Sequence, residues 1–286
     1  MQVGLAEQLE QVEKRMLALS SGTDDSQLAD AVRYHLAGGG GRIRARLALD
    51  TASALGVAPR KAVHVATACE LLHNASLLHD DIQDQDPIRR GRPAVWAEFG
   101  RNIAICAGDL LISSAYAAIA PLLRDHPQLV THIHSRVSIT IHGQSEDVSR
   151  IDDPLTTLEG YEEIASAKSG PLLSLPVELS LQLAGQKQLI GPAVRAIYAF
   201  ATGYQLCDDI ADQVEDAKTR EPNAVNIVRA AGHENASDQI QRRAFDHLAN
   251  ARGILAEFPK PLGLVLTGYL DRLATKITPS PAGILS

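Results

Sequence analysis

The chain has 286 residues, 45% apolar and 21% charged; this is globular composition with enough apolar surface for a large core, and it excludes a disordered or collagen-like chain. A net charge of −7 leaves no electrostatic footprint for nucleic acid or for an anionic membrane surface, so an anionic ligand would need local basic groups or metal ions. Cys69, Cys106 and Cys207 are scattered among apolar residues, which excludes a disulfide framework or a CxxC site and suits a reducing, cytoplasmic setting.

The amino-terminal segment, MQVGLAEQLEQVEKRM, is polar and amphipathic, unlike a signal peptide. Apolar residues then recur every three or four positions over 5–18, 60–79, 103–123, 172–183, 194–214 and 237–258, which predicts helices. Segment 103–123 is the most apolar, but Asp109 and Pro121 interrupt it, so it reads as a buried helix rather than a membrane span. Helix breakers fall at 38–41, 87–93, 152–154, 170–171, 191–192 and 222–223. No strictly alternating run is bounded by turn signals, so no sheet is expected. The tail, 277–286, reads as irregular. No linker separates two compositional halves, and the expectation is one all-α domain spanning 1–286.

One motif occurs twice. LLHDDIQDQD ends at Asp86, and QLCDDIADQVED ends at Asp216. Each contains Asp-Asp-Ile-x-Asp-Gln at the end of an apolar run, too far apart for a solenoid period. They look like two halves of one site. On a helix, Asp80 and Asp84 stack on one face, with Asp81 about 100° around. Asp208, Asp209 and Asp212 repeat that arrangement. Crowded carboxylates repel and destabilise a helix, so a cation should offset them. Mg²⁺ is usually held by a few carboxylates together with substrate phosphates. A single DDxxD reads equally well as a solvated face; two copies of one hexapeptide weigh against that reading. Neither copy has the glycine and terminal glutamate of a calcium loop.

Basic residues lie close by. Arg89 and Arg90 follow the first cluster, and GGGGRIRAR carries Arg42, Arg44 and Arg46. A glycine loop opening a helix can offer backbone N–H groups to a phosphate, with arginine adding paired contacts; a plain turn explains the glycines equally well. Lys168, ahead of the Gly170-Pro171 break, would by itself be a surface lysine. His132, His134 and His142 lack a helical zinc-ligand spacing such as HExxH.

Taken together, these motifs resemble the trans-isoprenyl diphosphate synthases, the polyprenyl synthetase family. The resemblance runs from about Leu36 to about Asn226, through ELLHNASLLHDD, the arginines after it, AGDLLISSAY, GQSED, AKSG and YQLCDDIAD in the family's order. It implies a bundle of long helices around a central cavity and a homodimer. It implies that Asp80, Asp81, Asp84, Asp208, Asp209 and Asp212 hold Mg²⁺, a trio of ions, against an allylic diphosphate. Arg89, Lys168 and Gln205 would act on that diphosphate in catalysis, with Ser169 where the family often has threonine. Arg44, His73 and Arg90 would bind isopentenyl diphosphate. The small residues Ala75 and Ser76, about one turn before Asp80, imply a deep apolar cavity and geranylgeranyl diphosphate or a longer product; Cys69, Leu71 and Leu72 lie one turn deeper as a partial floor. His79, beside Asp80, is expected to be structural.

Two departures stand out. Gly41 occupies the place of the family's usual lysine, with Arg42 next door. Arg220-Glu221-Pro222 stands where a Gly-Lys-Pro is usual. Both remove positive charge near phosphates. A second reading therefore keeps the ionising site without condensation, as a terpene cyclase or diphosphatase. A third makes the chain a regulatory subunit, against which the two intact acidic motifs argue. The expected partners are the two diphosphate substrates, with no nucleic acid and no stable membrane insertion.

Overall fold

A computed structural model describes residues 4–22, 25–149, 157–219 and 223–274. Among these residues the fold is all-α, with twelve α-helices and one very short hairpin. The chain's contacts group into two compact units, Met1–His134 with Leu175–Gln186, and Ser135–Ser174 with Lys187–Ser286. The unit boundaries at 134/135 and 174/175 fall inside helices α7 and α8.

The first unit contains α1 (Leu5–Ser20), α2 (Gln27–Ala37), α3 (Ile43–Ala54), α4 (Pro59–Gln83), α5 (Val95–Phe99) and α6 (Arg101–Ile119). Helix α4 is its axis. Pro59 opens it, where the missing N–H costs nothing. From Ala62 to Leu72 every residue is buried, the polar ones among them being hydrogen-bonded: His64 to Ala118 O, Thr67 to Val63 O and Glu70 to Ala45 N. It packs along α1, α3 and α6. Leu71 and Leu78 are fully enclosed, each contributing about 1.5–3 kcal/mol by leaving water. Helix α2 is capped by Ser26, whose Oγ accepts from Ala29 N at 3.2 Å. Helix α3 starts differently. Its N-cap, Arg42, sits at φ 47° without a side-chain cap, and Glu70 of α4 accepts from Ala45 N at 3.0 Å instead.

The second unit holds most of α7 (Gln128–Ser149), the first part of α8 (Leu158–Leu183), and α9 (Ile190–Thr219), α10 (Ala224–Ala230), α11 (Ala236–Ala256) and α12 (Lys260–Ala274). Its core includes Tyr161, Leu206, Val225, Ile240 and Ala244. Glycines set its helix spacing. A Cβ on Gly143 would meet the α8 backbone at Lys168 N, 2.8 Å away, and one on Gly203 would meet Ala244 O of α11 at 2.9 Å.

Two expectations need correction. Gly170-Pro171 does not end a helix; α8 runs through it. Gly170 lies under the Tyr198 ring, where a Cβ would come within 2.9 Å, so tertiary packing overrides the breaker signal. A minimal sheet also exists: β1 (Ile88–Arg89) pairs antiparallel with β2 (Arg92–Pro93). Arg90 at φ 53° and Gly91 at φ 74° turn the corner, the two positive values of a two-residue primed turn. Helices α2, α3, α5, α7, α10 and α12 add to those expected. The 152–154 break, Pro222 and the tail lie outside the described residues.

Residues Arg101–Leu122 are long and apolar enough to cross a membrane by length and composition alone. Here Ala104, Ala107, Leu111, Ala115 and Ala118 are buried and face α4, α1, α2 and α5, while Ile105, Cys106 and Ala117 on the other side are exposed.

Candidate active site

The first acidic cluster sits where α4 ends. Asp80 and Asp81 belong to its last turn, and Asp84 is the C-cap, its N–H donating to Asp80 O at 2.8 Å. Carboxylates at a helix C-terminus oppose the dipole, so cations should gather there. One does: Arg89, from the hairpin, forms an ion pair with Asp81 Oδ1. Asp81 is 1% exposed, and its Oδ2 is buried without a hydrogen-bond partner. Burial pushes the Asp81 carboxyl up, against the pull of Arg89. Asp81 Oδ2 is thus a buried carboxylate oxygen with no hydrogen-bond partner, and hard oxygen donors of this kind suit Mg²⁺.

The open face of α4 carries His73, Ser76, Leu77 and Asp80, all partly exposed. Ser76 Oγ donates to His73 O at 2.9 Å. Ala75 lies on the packed side at 1% exposure, with Cys69, Leu71 and Leu72. His79 lies over Gly108 of α6, in the space a side chain there would fill, and its Nε2 is 3.6 Å from Asp109 Oδ1. That contact supports a structural histidine.

The glycine loop is organised by arginines. Arg90 donates to Gly39 O, and its guanidinium lies where a Cβ on Gly40 would be, 2.8 Å from that position. Gly40 itself sits at φ 124°. Arg42 turns inward: it binds Glu13 at 2.6 and 3.2 Å, Leu36 O at 2.9 Å and Gly39 O at 3.3 Å. It does not stand in for a lysine at position 41. Because Glu70 takes Ala45 N, the start of α3 is already partly satisfied. Arg44 Nε is buried without a hydrogen-bond partner. His73 is held well below its usual range by burial and by Arg44 and Arg90. His35, bonded to Asn74 Oδ1 at 3.1 Å, is lowered to about 4 by burial and Arg90. Both rings are neutral at pH 7, so the positive charge of this region comes from arginine.

In the second unit, α9 carries the other acidic cluster. Asp209 is buried and both its oxygens are bonded: Oδ1 accepts from Gln205 Nε2 at 3.0 Å, and Oδ2 from Ala224 N at 3.0 Å. Asn223 Nδ2 donates to Asp209 O at 2.8 Å. Asp209 therefore helps cap α10. Asp208 is half-buried and Asp212 exposed. Lys168 Nζ donates to Asp147 Oδ2 at 2.8 Å, so the AKSG and GQSED segments meet through one ion pair. Ser169 is half-buried. Glu221 lies outside the described residues.

The sequence places Arg89 and Arg90 together beside the acidic cluster; in the structure Arg89 pairs with Asp81 while Arg90 reaches the glycine loop. Sequence reasoning missed Glu70 as the cap of α3 and Asp147 as the partner of Lys168. It also missed the contact of Arg92 with Tyr34, whose ring centroid is 4.0 Å from the guanidinium carbon. Each of these pairs two residues distant in the chain, for which no local pattern exists.

The family model for polyprenyl synthetase matches residues 25–226. The chain is 34% identical over 187 residues to the geranylgeranyl pyrophosphate synthase of Geoglobus acetivorans, covering 64% of this chain and 58% of that protein. It is 32% identical over 216 residues to a short chain isoprenyl diphosphate synthase of Methanothermobacter thermautotrophicus, covering 73% and 66%. The matched part thus spans less than two-thirds of either relative. The crystal structure of the Geoglobus acetivorans geranylgeranyl pyrophosphate synthetase superposes with a TM-score of 0.83 at 25% identity, covering 94% of this chain and 98% of that one.

Proposed function

The chain belongs to the polyprenyl synthetase family, and on that premise we propose that it is a prenyltransferase joining isopentenyl diphosphate head-to-tail to an allylic diphosphate. The observation that carries this reading is the buried, partnerless Oδ2 of Asp81, beside Arg89 at the end of α4. It fits a cation-bound diphosphate better than a solvated acidic face, because a solvated carboxylate would not be buried. Asp80, Asp81 and Asp84, with Asp208, Asp209 and Asp212, are the residues that would hold Mg²⁺, a trio of ions. When bound, Mg²⁺ would offset the charge that develops on a departing diphosphate.

The chain's own residues supply the rest. Arg89, Lys168 and Gln205 donate hydrogen bonds to the allylic diphosphate, with Ser169 beside them. Arg44, His73 and Arg90 bind isopentenyl diphosphate, His73 as a neutral imidazole. The allylic C–O bond breaks heterolytically, the isopentenyl double bond attacks the allylic cation, and a proton passes to the released pyrophosphate. No protein base is required. Ser76, partly open on the face that carries Asp80, is small enough to admit geranylgeranyl diphosphate or a longer product, whereas Ala75 is packed. The match to nearly the whole of a solved chain supports reading the chain as a single all-α domain. A homodimer and a cytoplasmic setting are part of this reading on the family resemblance, and the packing of α6 on α1, α2, α4 and α5 supports the absence of stable membrane insertion.

A second reading has one observation in its favour. Gly41 brings no side chain to the loop and Arg42 is turned away, which weakens the isopentenyl diphosphate side. A cyclase or diphosphatase acting on a long allylic diphosphate would tolerate that. The deciding assay supplies dimethylallyl, geranyl or farnesyl diphosphate with Mg²⁺, with and without isopentenyl diphosphate, and identifies products by mass spectrometry. Elongated diphosphates that require isopentenyl diphosphate are expected. Hydrocarbon or alcohol formed equally well without it would replace the first reading by the second.

A further inference from the structure

Arg89 and Arg92 are direct cross-strand partners in the hairpin. Their side chains therefore share one face, and like charges placed opposite each other repel. The two arginines have different destinations. Arg89 pairs with Asp81. Arg92 lies over the ring of Tyr34, 4.0 Å from its centroid, where the negative face of the ring attracts a cation. Tyr34 has two more contacts that fix its place. Its hydroxyl donates to Pro93 O at 2.9 Å, and its ring meets Phe99 edge-on at 5.3 Å. The base of the hairpin is closed by Ala94 N donating to Pro87 O at 2.8 Å and Trp96 Nε1 donating to Asp86 O at 2.7 Å. Tyr34, Asp81, Arg89, Arg90 and Arg92 also line one small recess.

We propose that Tyr34 and Arg92 are positioning residues, which hold the hairpin so that Arg89 alone reaches Asp81 and Arg90 reaches the glycine loop. Without the ring, Arg92 is free to swing toward Asp81, which lines the same recess and has an unmatched oxygen, and to compete with Arg89 there. Neither Tyr34 nor Arg92 needs to touch substrate. Their effect passes through the placement of the other two arginines, and so it belongs to diphosphate binding more than to chemistry. The inference rests on the acidic cluster being a metal–diphosphate site.

The test compares the full-length wild type with Tyr34→Leu, Tyr34→Phe and Arg92→Ala. Binding of inorganic pyrophosphate in the presence of Mg²⁺ is measured by calorimetry, KM and kcat with an allylic diphosphate, and melting temperature in parallel. Tyr34→Leu should weaken pyrophosphate binding and raise KM by about tenfold, with kcat changing less. Tyr34→Phe, which keeps the ring, should stay within about twofold of wild type. Arg92→Ala removes both the competitor and the clamp, and should fall between the two. Equal binding in wild type and Tyr34→Leu overturns the inference while the site reading stands. So does a loss in Tyr34→Phe as large as in Tyr34→Leu, since the ring would then not be the cause. Absence of pyrophosphate binding by the wild type overturns the site reading and the inference with it.

Discussion

The two aspartates at the heart of the second motif differ although they are adjacent. Asp209 has both oxygens bonded within the fold, one of them to the first N–H of α10. Asp208 is the more open of the two. Their substitutions should therefore fail in different ways. Asp208→Asn should remove Mg²⁺-dependent turnover with little change in melting temperature. Asp209→Ala should in addition cost about 1–2 kcal/mol of stability through the lost cap and the unpaired N–H, read as a lower denaturant midpoint. Equal melting of the two variants would count against this division. Gly41 gives a prediction of the opposite sign. It is exposed and is not held at positive φ, and a Cβ there would meet Ile43 Cγ1 at 3.3 Å, so Gly41→Lys adds a cation to the loop with a small shift of the Ile43 side chain. KM for isopentenyl diphosphate should fall severalfold in that variant, with KM for the allylic substrate unchanged.

Among the helices, α8 shows where reading from sequence stops. Its periodicity was legible only over 172–183, because Gly170-Pro171 looks like a terminator and the apolar rhythm before it is weak. The helix continues because Gly170 admits the Tyr198 ring and Gly143 admits the α8 backbone, contacts invisible without the fold. The acidic repeats were legible because one hexapeptide appears twice. The caps and clamps were not, because Glu70, Asp147 and Tyr34 act on residues far along the chain. Helix α8 is also tied to α11 by an ion-pair cluster. Arg243 donates to both oxygens of Glu162 at 2.8 Å, and His247 Nε2 lies 3.3 Å away. Burial pushes the Glu162 carboxyl up, but Arg243 and His247 more than reverse it, and it sits at about 2 against an ordinary 4.5. A depressed folded-state value means that the unfolded chain takes up the proton first. The cluster's stabilisation is therefore complete above pH 4.5 and is lost as pH falls toward 2. Glu162→Gln should cost about 1–2 kcal/mol at pH 7, allowing for the half-open setting of Arg243. The gap from wild type should close in melts run at progressively lower pH.

For the molecule as a catalyst, product length is the property most easily redirected. Ser76 is partly open on the face of α4 that carries Asp80, whereas Ala75 is packed. Ser76→Phe should shorten the product without unfolding the protein, and Ala75→Phe should lower the melting temperature as well. Chromatography of the extracted prenyl alcohols together with thermal melts separates the two; an unchanged product from a folded Ser76→Phe would place the chain-length limit elsewhere. Arg42 bears on the whole chain in another way. It ties the loop before α3 to Glu13 on the very first helix, although α1 contributes no acidic-motif residue. An expression variant begun after residue 20 would look conservative on a gene map, yet it would take the Glu13 carboxylate away from a guanidinium that keeps only Leu36 O and Gly39 O as hydrogen-bond partners. Trimmed and intact proteins should then differ in their affinity for small anions, because the loop before α3 loses one of its anchors.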